Sequence, residues 1–379
     1  MLTTISFNSF NLSKSTIATV TFSDSPETIF LKFSQYSNKE FCVLYDFWTP
    51  SDHLKDRITF VVHSTIDYVQ YLEKHIDSWT GAISLAIFID YPDENDFIKN
   101  TKLVLSKLET LETAKSSGIV GIHLFYRNPT NTTACGDITI TTAETRGTYS
   151  DVDSIYPINV ARNIARKGSK TKLFISGDIE NYFVTNYEHR MRKLAMEKLI
   201  NSKEKLALVH RRFEVENGLK LPKTKNELQL LYNRGKAVVF HRYFYQVGHA
   251  IPNIDAWFNH KEDLNNTSVQ RIMDYPNPRW EPQFVGLNSE VPLHDESFPF
   301  RMSSNTHLCS EMCRAGFRFA IVYDLFTIHV GIKKKESPNE LAVKKKVWKS
   351  GYRQIVDDFV KRLDLQYPST KNKCPKFVP

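Results

Sequence analysis

Two rhythms of apolar and polar positions run along this 379-residue chain. Short apolar runs closed by Gly, Ser or an acid read as buried strands, and apolar residues three and four apart read as helices. Runs at 17–22, 29–33 and 41–45 read as edge strands or an extended lead-in, within a Ser/Thr/Phe-rich region that spans residues 1–57. From residue 58 the pattern becomes regular. Strands are predicted at 58–62, 82–89 and 119–125. After the first of them, Ser64 is placed to cap a helix with the apolar stripe Ile66, Val69, Leu72 and Ile76. A polar helix is predicted over 93–111, and 139–147 reads as a loop.

Further along, Pro157 opens a helix that Gly168 stops, and a strand at 173–175 follows. The stripe Tyr187, Met191, Leu194, Ala195 and Leu199 predicts an amphipathic helix running to Ile200. Next come a strand at 206–209, a short helix at 223–232, an aromatic-rich strand at 238–245 and a Pro/Asn-rich loop at 250–280. A helix at 305–314 is stopped by Gly316, a strand at 317–323 follows, and a last apolar run carries His329 up to Gly331. Trp348, Tyr352, Ile355, Phe359 and Leu363 predict one long terminal helix. Alternating strands and helices argue for an α/β fold on a parallel sheet, as one domain over 58–379.

Composition narrows the class. With 41% hydrophobic and 24% charged residues this is a folded globular chain, long enough to bury a sizeable core. Its net charge of +8 favours acidic partners without choosing among them. The basic residues are spread, and the two densest runs, Lys333-Lys334-Lys335 and Lys344-Lys345-Lys346, read as solvated faces. No nucleic-acid-binding signature appears. No stretch reaches the roughly 18–20 apolar residues of a membrane span. Of the cysteines, Cys309 and Cys313 sit four apart, the spacing of packed thiols on one helix, and no Cys-His cluster suggests zinc. Glycan-acceptor sequons occur at Asn11, Asn131, Asn265 and Asn266.

Candidate chemistry gathers in two places. In the segment 171–183, an apolar strand ends at Ser176-Gly177 and Asp178 and Glu180 follow at once. That puts two carboxylates at the carboxyl edge of a sheet, where open α/β folds bind ligands, and carboxylates suit Mn²⁺ or Mg²⁺ shared with phosphates. The preceding helix carries Asn159, Arg162, Asn163 and Arg166 on one face, either a solvent face or an Arg fork for a pyrophosphate beside Asp178. The second place is 280–298, where Asp295 and Glu296 stand ahead of Phe298. They read either as a general base or as acids capping a helix start.

Ordered short motifs connect these places. Trp79-Thr80-Gly81-Ala82-Ile83-Ser84 follows Ser64, and Tyr156-Pro157-x-Asn159-x-x-Arg162-Asn163-x-Ala165-Arg166 follows in turn. Later come Lys225-Asn226-Glu227-Leu228, Trp280-Glu281-Pro282, Val291-Pro292, Asp295-Glu296-x-Phe298, Ala315-Gly316-Phe317, His329-x-Gly331 and Tyr352-Arg353-Gln354. Over roughly 58–367 this pattern resembles glycosyltransferase family 49, the family of the β-1,4-glucuronyltransferases and the glucuronyltransferase half of the LARGE enzymes.

The resemblance implies a GT-A fold: a Rossmann-like mixed sheet flanked by helices that binds a UDP-sugar through a D-x-D motif and Mn²⁺. It also implies an inverting transfer, of glucuronic acid by kinship, to a glycan or glycoprotein acceptor in protein O-glycosylation. Donor-binding positions carried over are Ser64, Asn159, Arg162, Asn163, Asp178 and Glu180; metal ligands are Asp178, Glu180 and His329; Asp295 or Glu296 is the base. Here the chain departs from the family. Counting from Tyr156 aligns Ser176-Gly177-Asp178 with D-x-D, whereas counting back from Arg192-Lys193 aligns Asp178-Ile179-Glu180 and keeps two carboxylates. The second register is preferred, because Ser supplies no charge. Two alternatives stay open: a weakened relative that binds UDP-sugar or glycan without turnover, and a β-1,3-N-acetylglucosaminyltransferase of the same family. The family implies the Golgi lumen and a single N-terminal membrane anchor, which this N-terminus does not display.

Overall fold

The computed structural model describes residues 28–36, 40–129, 135–141 and 155–378. The run at 17–22 and the sequons at Asn11 and Asn131 lie outside the described residues. A mixed sheet of 12 strands runs through the molecule. Its centre is parallel: Leu173–Ser176, Ile58–Ser64, Ile83–Phe88 and Val120–Arg127 lie side by side. Phe284–Leu287 runs antiparallel next to Leu173–Ser176, and joins that block to the parallel pair Leu206–Val215 and Arg318–Val330. Six strands therefore end on the same side, and that carboxyl edge is where the cleft opens.

Strand alternation divides the core into two layers. Phe60, Val62, Leu173, Ile175 and Leu208 share one core with Tyr187, Met191 and Leu194 of the helix Tyr187–Ala195. Val61, Phe174, Ala207 and Val209 face the other way, into a core with Val160, Ala161 and Ile164 of the helix Ile158–Gly168 and Leu308 and Met312 of the helix Thr306–Arg314. This is the α/β architecture expected, a mixed sheet flanked by helices. A third, smaller core gathers Phe298, Tyr352, Val356, Phe359 and Leu363.

Several elements differ from expectation, each for a local reason. Ser64 ends its strand and caps nothing; the chain continues through a turn at Ile66–Tyr68 into a short helix, Tyr71–Ile76. Part of the supposed loop at 139–147 belongs to a strand, Asp137–Thr141, which pairs with Thr28–Lys32; 142–147 lies outside the described residues. The strand at 206–209 extends to Val215 through His210, Arg211, Arg212 and Glu214, each of which finds a hydrogen-bond partner on another part of the fold. Only Ala237–Val239 of the aromatic segment is a strand. The 250–280 region contains a helix, Ile254–Asn259, and a strand, Val269–Met273. The terminal helix is two helices, Pro338–Lys349 and Tyr352–Gln366, parted at Gly351, whose φ of +93° suits glycine and halts the first helix. Trp348 consequently leaves the packed stripe and is half exposed.

Disulfides join Cys42 to Cys135 and Cys313 to Cys374, while Cys309 is a buried free thiol. The pairing of Cys313 with a residue 61 positions away corrects its reading as a packed helix thiol.

Candidate active site

The carboxyl edge opens into a cavity of about 510 Å³, within the range of small-molecule sites. Ser176, Gly177 and Asp178 form its floor. A Cβ at Gly177 would lie 2.0 Å from the Gln283 side-chain nitrogen, so a larger residue there would have to displace that amide. That amide donates to the Ser176 carbonyl at 3.0 Å, and its oxygen lies 2.9 Å from His210 Nε2. Buried polar side chains thus fix the turn that presents Asp178.

Arg212 enters from the neighbouring strand. Its guanidinium lies over the Phe240 ring, 3.8 Å from the centroid, and donates to Asp178 Oδ2 at 3.0 Å. The Asn181 amide donates to the same oxygen at 3.2 Å. Burial would raise the Asp178 pKa, but Arg212, Arg162 and His63 outweigh it and hold the carboxyl well below its usual range. Arg162 also lines the cavity, held by the Ser304 carbonyl at 2.5 Å and Asn159 Oδ1 at 3.1 Å.

Aromatic and imidazole side chains also line the wall: Phe240, His241, Phe244, Tyr245, His249 and His294. Burial lowers the pKa of His241 to about 3 and that of His249 and His294 well below the ordinary value, so all three are neutral near pH 7. Glu281 also lines the cavity, as do Arg279, Arg301, Glu336 and Lys344. The Glu281 carboxylate lies 3.6 Å from His249 Nε2, and burial raises its pKa to about 7, against the pull of Arg212 and Arg162. A carboxyl poised near neutrality within a cavity has the property a general base needs.

The sequence-predicted residues fall into three groups. Arg162 and Asp178 line the cavity together. Asn159, Asn163 and Arg166 turn instead to the 288–298 segment. Asn159 donates to the Phe298 carbonyl at 2.8 Å, Asn163 exchanges bonds with the His294 backbone at 2.8 and 2.9 Å, and Arg166 binds the carbonyls of Asn288, Val291 and Pro292. The stripe is neither a solvent face nor a four-membered pyrophosphate fork; it clamps a loop.

Asp295 and Glu296 also stand apart from the lining. Asp295 Oδ1 accepts from the Ser297 backbone and hydroxyl at 3.1 and 2.6 Å, and its Oδ2 accepts from Arg362 at 3.1 Å. Although burial acts to raise its pKa, the Ser297 hydrogen bonds and Arg362 bring it below the usual value, which suits a cap and weakens a base. Glu296 accepts from Tyr36 and Asn163 at 2.7 and 2.8 Å.

The expected metal set does not assemble. Ser64, Glu180 and His329 are absent from the cavity lining, and among the described residues no three His, Cys, Asp or Glu side chains converge as ligands. Arg212 already takes a ligand oxygen of Asp178. His329 Nδ1 is buried without a hydrogen-bond partner, but its ring packs on Phe240 with centroids 5.8 Å apart. Mn²⁺ therefore does not fit the residues as arranged. Sequence reasoning missed Arg212 and Glu281. Glu281 stood inside a quoted motif, Trp280-Glu281-Pro282, whereas Arg212 lay just beyond the point where charged residues seemed to end a strand.

Fold and cleft together define an α/β protein whose sheet edge opens into a cavity of a size and charge suited to a phosphorylated ligand. The chain belongs to the glycosyltransferase family described as "Glycosyl-transferase for dystroglycan", whose family model matches residues 57–368. It is 25% identical to β-1,4-glucuronyltransferase 1 of Danio rerio over 344 residues, covering 86% of this chain and 77% of the relative. Its match to the xylosyl- and glucuronyltransferase LARGE1 of Gallus gallus is 23% over 305 residues, 79% of this chain but about a third (34%) of that protein. A solved structure, GalNAc-T7 with UDP, GalNAc and Mn²⁺, matches with a TM-score of 0.40 and 11% identity, over 76% of this chain and 46% of that one.

Proposed function

We propose that this glycosyltransferase moves a sugar from a UDP-sugar to a hydroxyl of a glycan or glycoprotein acceptor, with inversion at the anomeric carbon. Glucuronic acid is the donor sugar we favour, since relatives over most of the chain are named glucuronyltransferases. The observation that carries the reading is Glu281: a carboxyl whose pKa burial raises to about 7, in a cavity that Arg162, Arg212, Arg279 and Arg301 also line. In the step we infer, the acceptor oxygen bonds to the anomeric carbon as the bond from that carbon to the phosphate oxygen breaks. UDP leaves with the electron pair, and the acceptor proton passes to Glu281. Asp295 and Glu296 hold the 294–298 segment beside the cleft.

The Golgi lumen is the compartment we favour, and the two disulfides support an oxidising one. Among the described residues, no helix is long and apolar enough to cross a membrane. A second reading, a relative that binds without turnover, is favoured by the absence of a convergent metal set among the described residues. A UDP-release screen across UDP-sugars, with xylose-terminated acceptors present, separates the two. Release with UDP-glucuronic acid that Glu281→Gln lowers about a hundredfold or more supports transfer. Binding of UDP with no release from any donor supports the second.

A further inference from the structure

The charge in the cleft is arranged for an anion. Arg212 is about nine-tenths buried, with side-chain exposure of 10%, and its Nε has no hydrogen-bond partner. Phe240 supports one face of its plane and Asp178 fixes one end, so the fork is oriented before any ligand arrives. Arg162 lines the same cavity, where burial, and to a lesser degree the nearby Arg212 charge, lowers its pKa. A dication at Asp178 would have to compete with Arg212 for the carboxylate, in a cavity that Arg162 also lines. A diphosphate in that place would instead meet both.

We propose that Arg212 and Arg162 bind the diphosphate of the donor directly, in the place of a metal ion, and that this site needs no divalent cation. Planar guanidinium forks match phosphate oxygens bidentately, and two of them neutralise charge as it develops on a leaving phosphate. Asp178 becomes a positioning residue: it holds the Arg212 fork in the cleft and ligates nothing. The phosphate half of this inference stands on the cleft alone; the nucleoside half rests on the function proposed above.

The test is calorimetric titration of the whole chain with inorganic pyrophosphate and, separately, with UDP, each in EDTA and in MnCl₂. Pyrophosphate is expected to bind in EDTA, with an affinity that Mn²⁺ changes less than about threefold. Arg212→Ala should weaken it about tenfold or more, the loss expected for charge-assisted bonds, and Arg212→Lys should recover part of it. Asp178→Asn should keep pyrophosphate binding or tighten it, because Arg212 loses its competing anion. Where Arg212→Ala fails to fold by circular dichroism, Asp178→Asn alone decides. Binding that appears only with Mn²⁺ and disappears in Asp178→Asn overturns the proposal, as does a folded Arg212→Ala that binds normally. Tight pyrophosphate binding with no added affinity for UDP supports the arginine site and refutes the nucleotide reading. UDP binding that depends on Mn²⁺ does the reverse.

Discussion

Two clusters in this molecule set cations against acids, and they differ in whether space is left beside the charges. In the interior, Arg190 and Lys225 face Asp324 and Glu262. Lys225 Nζ donates to Asp324 at 2.6 Å and to the Trp257 carbonyl at 3.0 Å, and it also reaches the His260 carbonyl. Arg190 stands 3.8 Å from Glu262 and 3.7 Å from Asp324, while its Nε reaches the Asn266 carbonyl at 3.1 Å. At the sheet edge, Arg162 and Arg212 face Asp178 and Glu281 around a cavity of about 510 Å³. The first cluster is sealed, with every charged side chain at most 6% exposed. Its partners come from several elements, so it ties the Lys225–Asn233 helix to the Arg318–Val330 strand. Among the described residues, Arg190 Nη1 and Nη2 and Glu262 Oε1 lack hydrogen-bond partners in the first cluster, as Arg212 Nε does at the sheet edge. What sets the second apart is the open space beside it. Buried charge that closes on itself serves structure; buried charge that faces a void is available to a ligand.

The largest expected effect breaks the sealed cluster. Lys225→Met strands Asp324 without its closest cation, and removing one partner of a buried pair costs about 3–5 kcal/mol. A urea titration followed by circular dichroism measures it. A loss below about 1 kcal/mol would show that Arg190 alone satisfies Asp324 and that the two clusters differ less than described.

The next effect depends on pH. Burial raises the Glu281 pKa from 4.5 to about 7, so the folded state holds a proton that the unfolded chain releases. That group's stabilisation is complete below about pH 4.5 and is lost as pH rises through about 7. Glu281→Gln, which cannot ionise, should therefore gain on the wild type by up to about 3 kcal/mol across that window. Unfolding midpoints at pH 4.5, 6 and 8 check the sign. A difference that stays flat would mean that Glu281 ionises normally and is a poor base.

This comparison also explains what the sequence revealed and what it hid. The central strands and the Ile158–Gly168 helix were legible because Phe60, Val61 and Val62, or Val160, Ala161 and Ile164, repeat with the period of their element. Asp178 and Arg162 were legible through their motif context. Arg212 was not: within His210-Arg211-Arg212 the neighbours look alike, yet Arg211 caps the carbonyls of Ile251 and Pro252 while Arg212 faces the cleft. Those partners lie some 40 residues away, and only tertiary folding tells them apart. The stripe Asn159, Asn163 and Arg166 failed in the opposite sense. Its spacing was correct, but the partner was a loop of the same chain rather than a ligand. Similarly, Gly351 divides what periodicity alone joined into one helix.

The smallest effect tests whether the 294–298 segment is scaffold or chemistry. Asp295→Asn removes half of the Arg362 contact and weakens the turn at Ser297, but Arg362 retains Glu311 at 2.7 and 2.8 Å. A partly exposed ion pair with a surviving alternative is worth about 1 kcal/mol or less, so the variant should fold, with its unfolding midpoint slightly lowered. If Glu281 takes the proton, kcat for Asp295→Asn stays within a few-fold of wild type and the pH profile keeps its limb near 7. Should kcat instead fall a hundredfold with stability unchanged, Asp295 must reach the acceptor in the bound state. That would require Arg362 to release it on binding, and the 294–298 segment would then belong with the open cluster rather than with the scaffold.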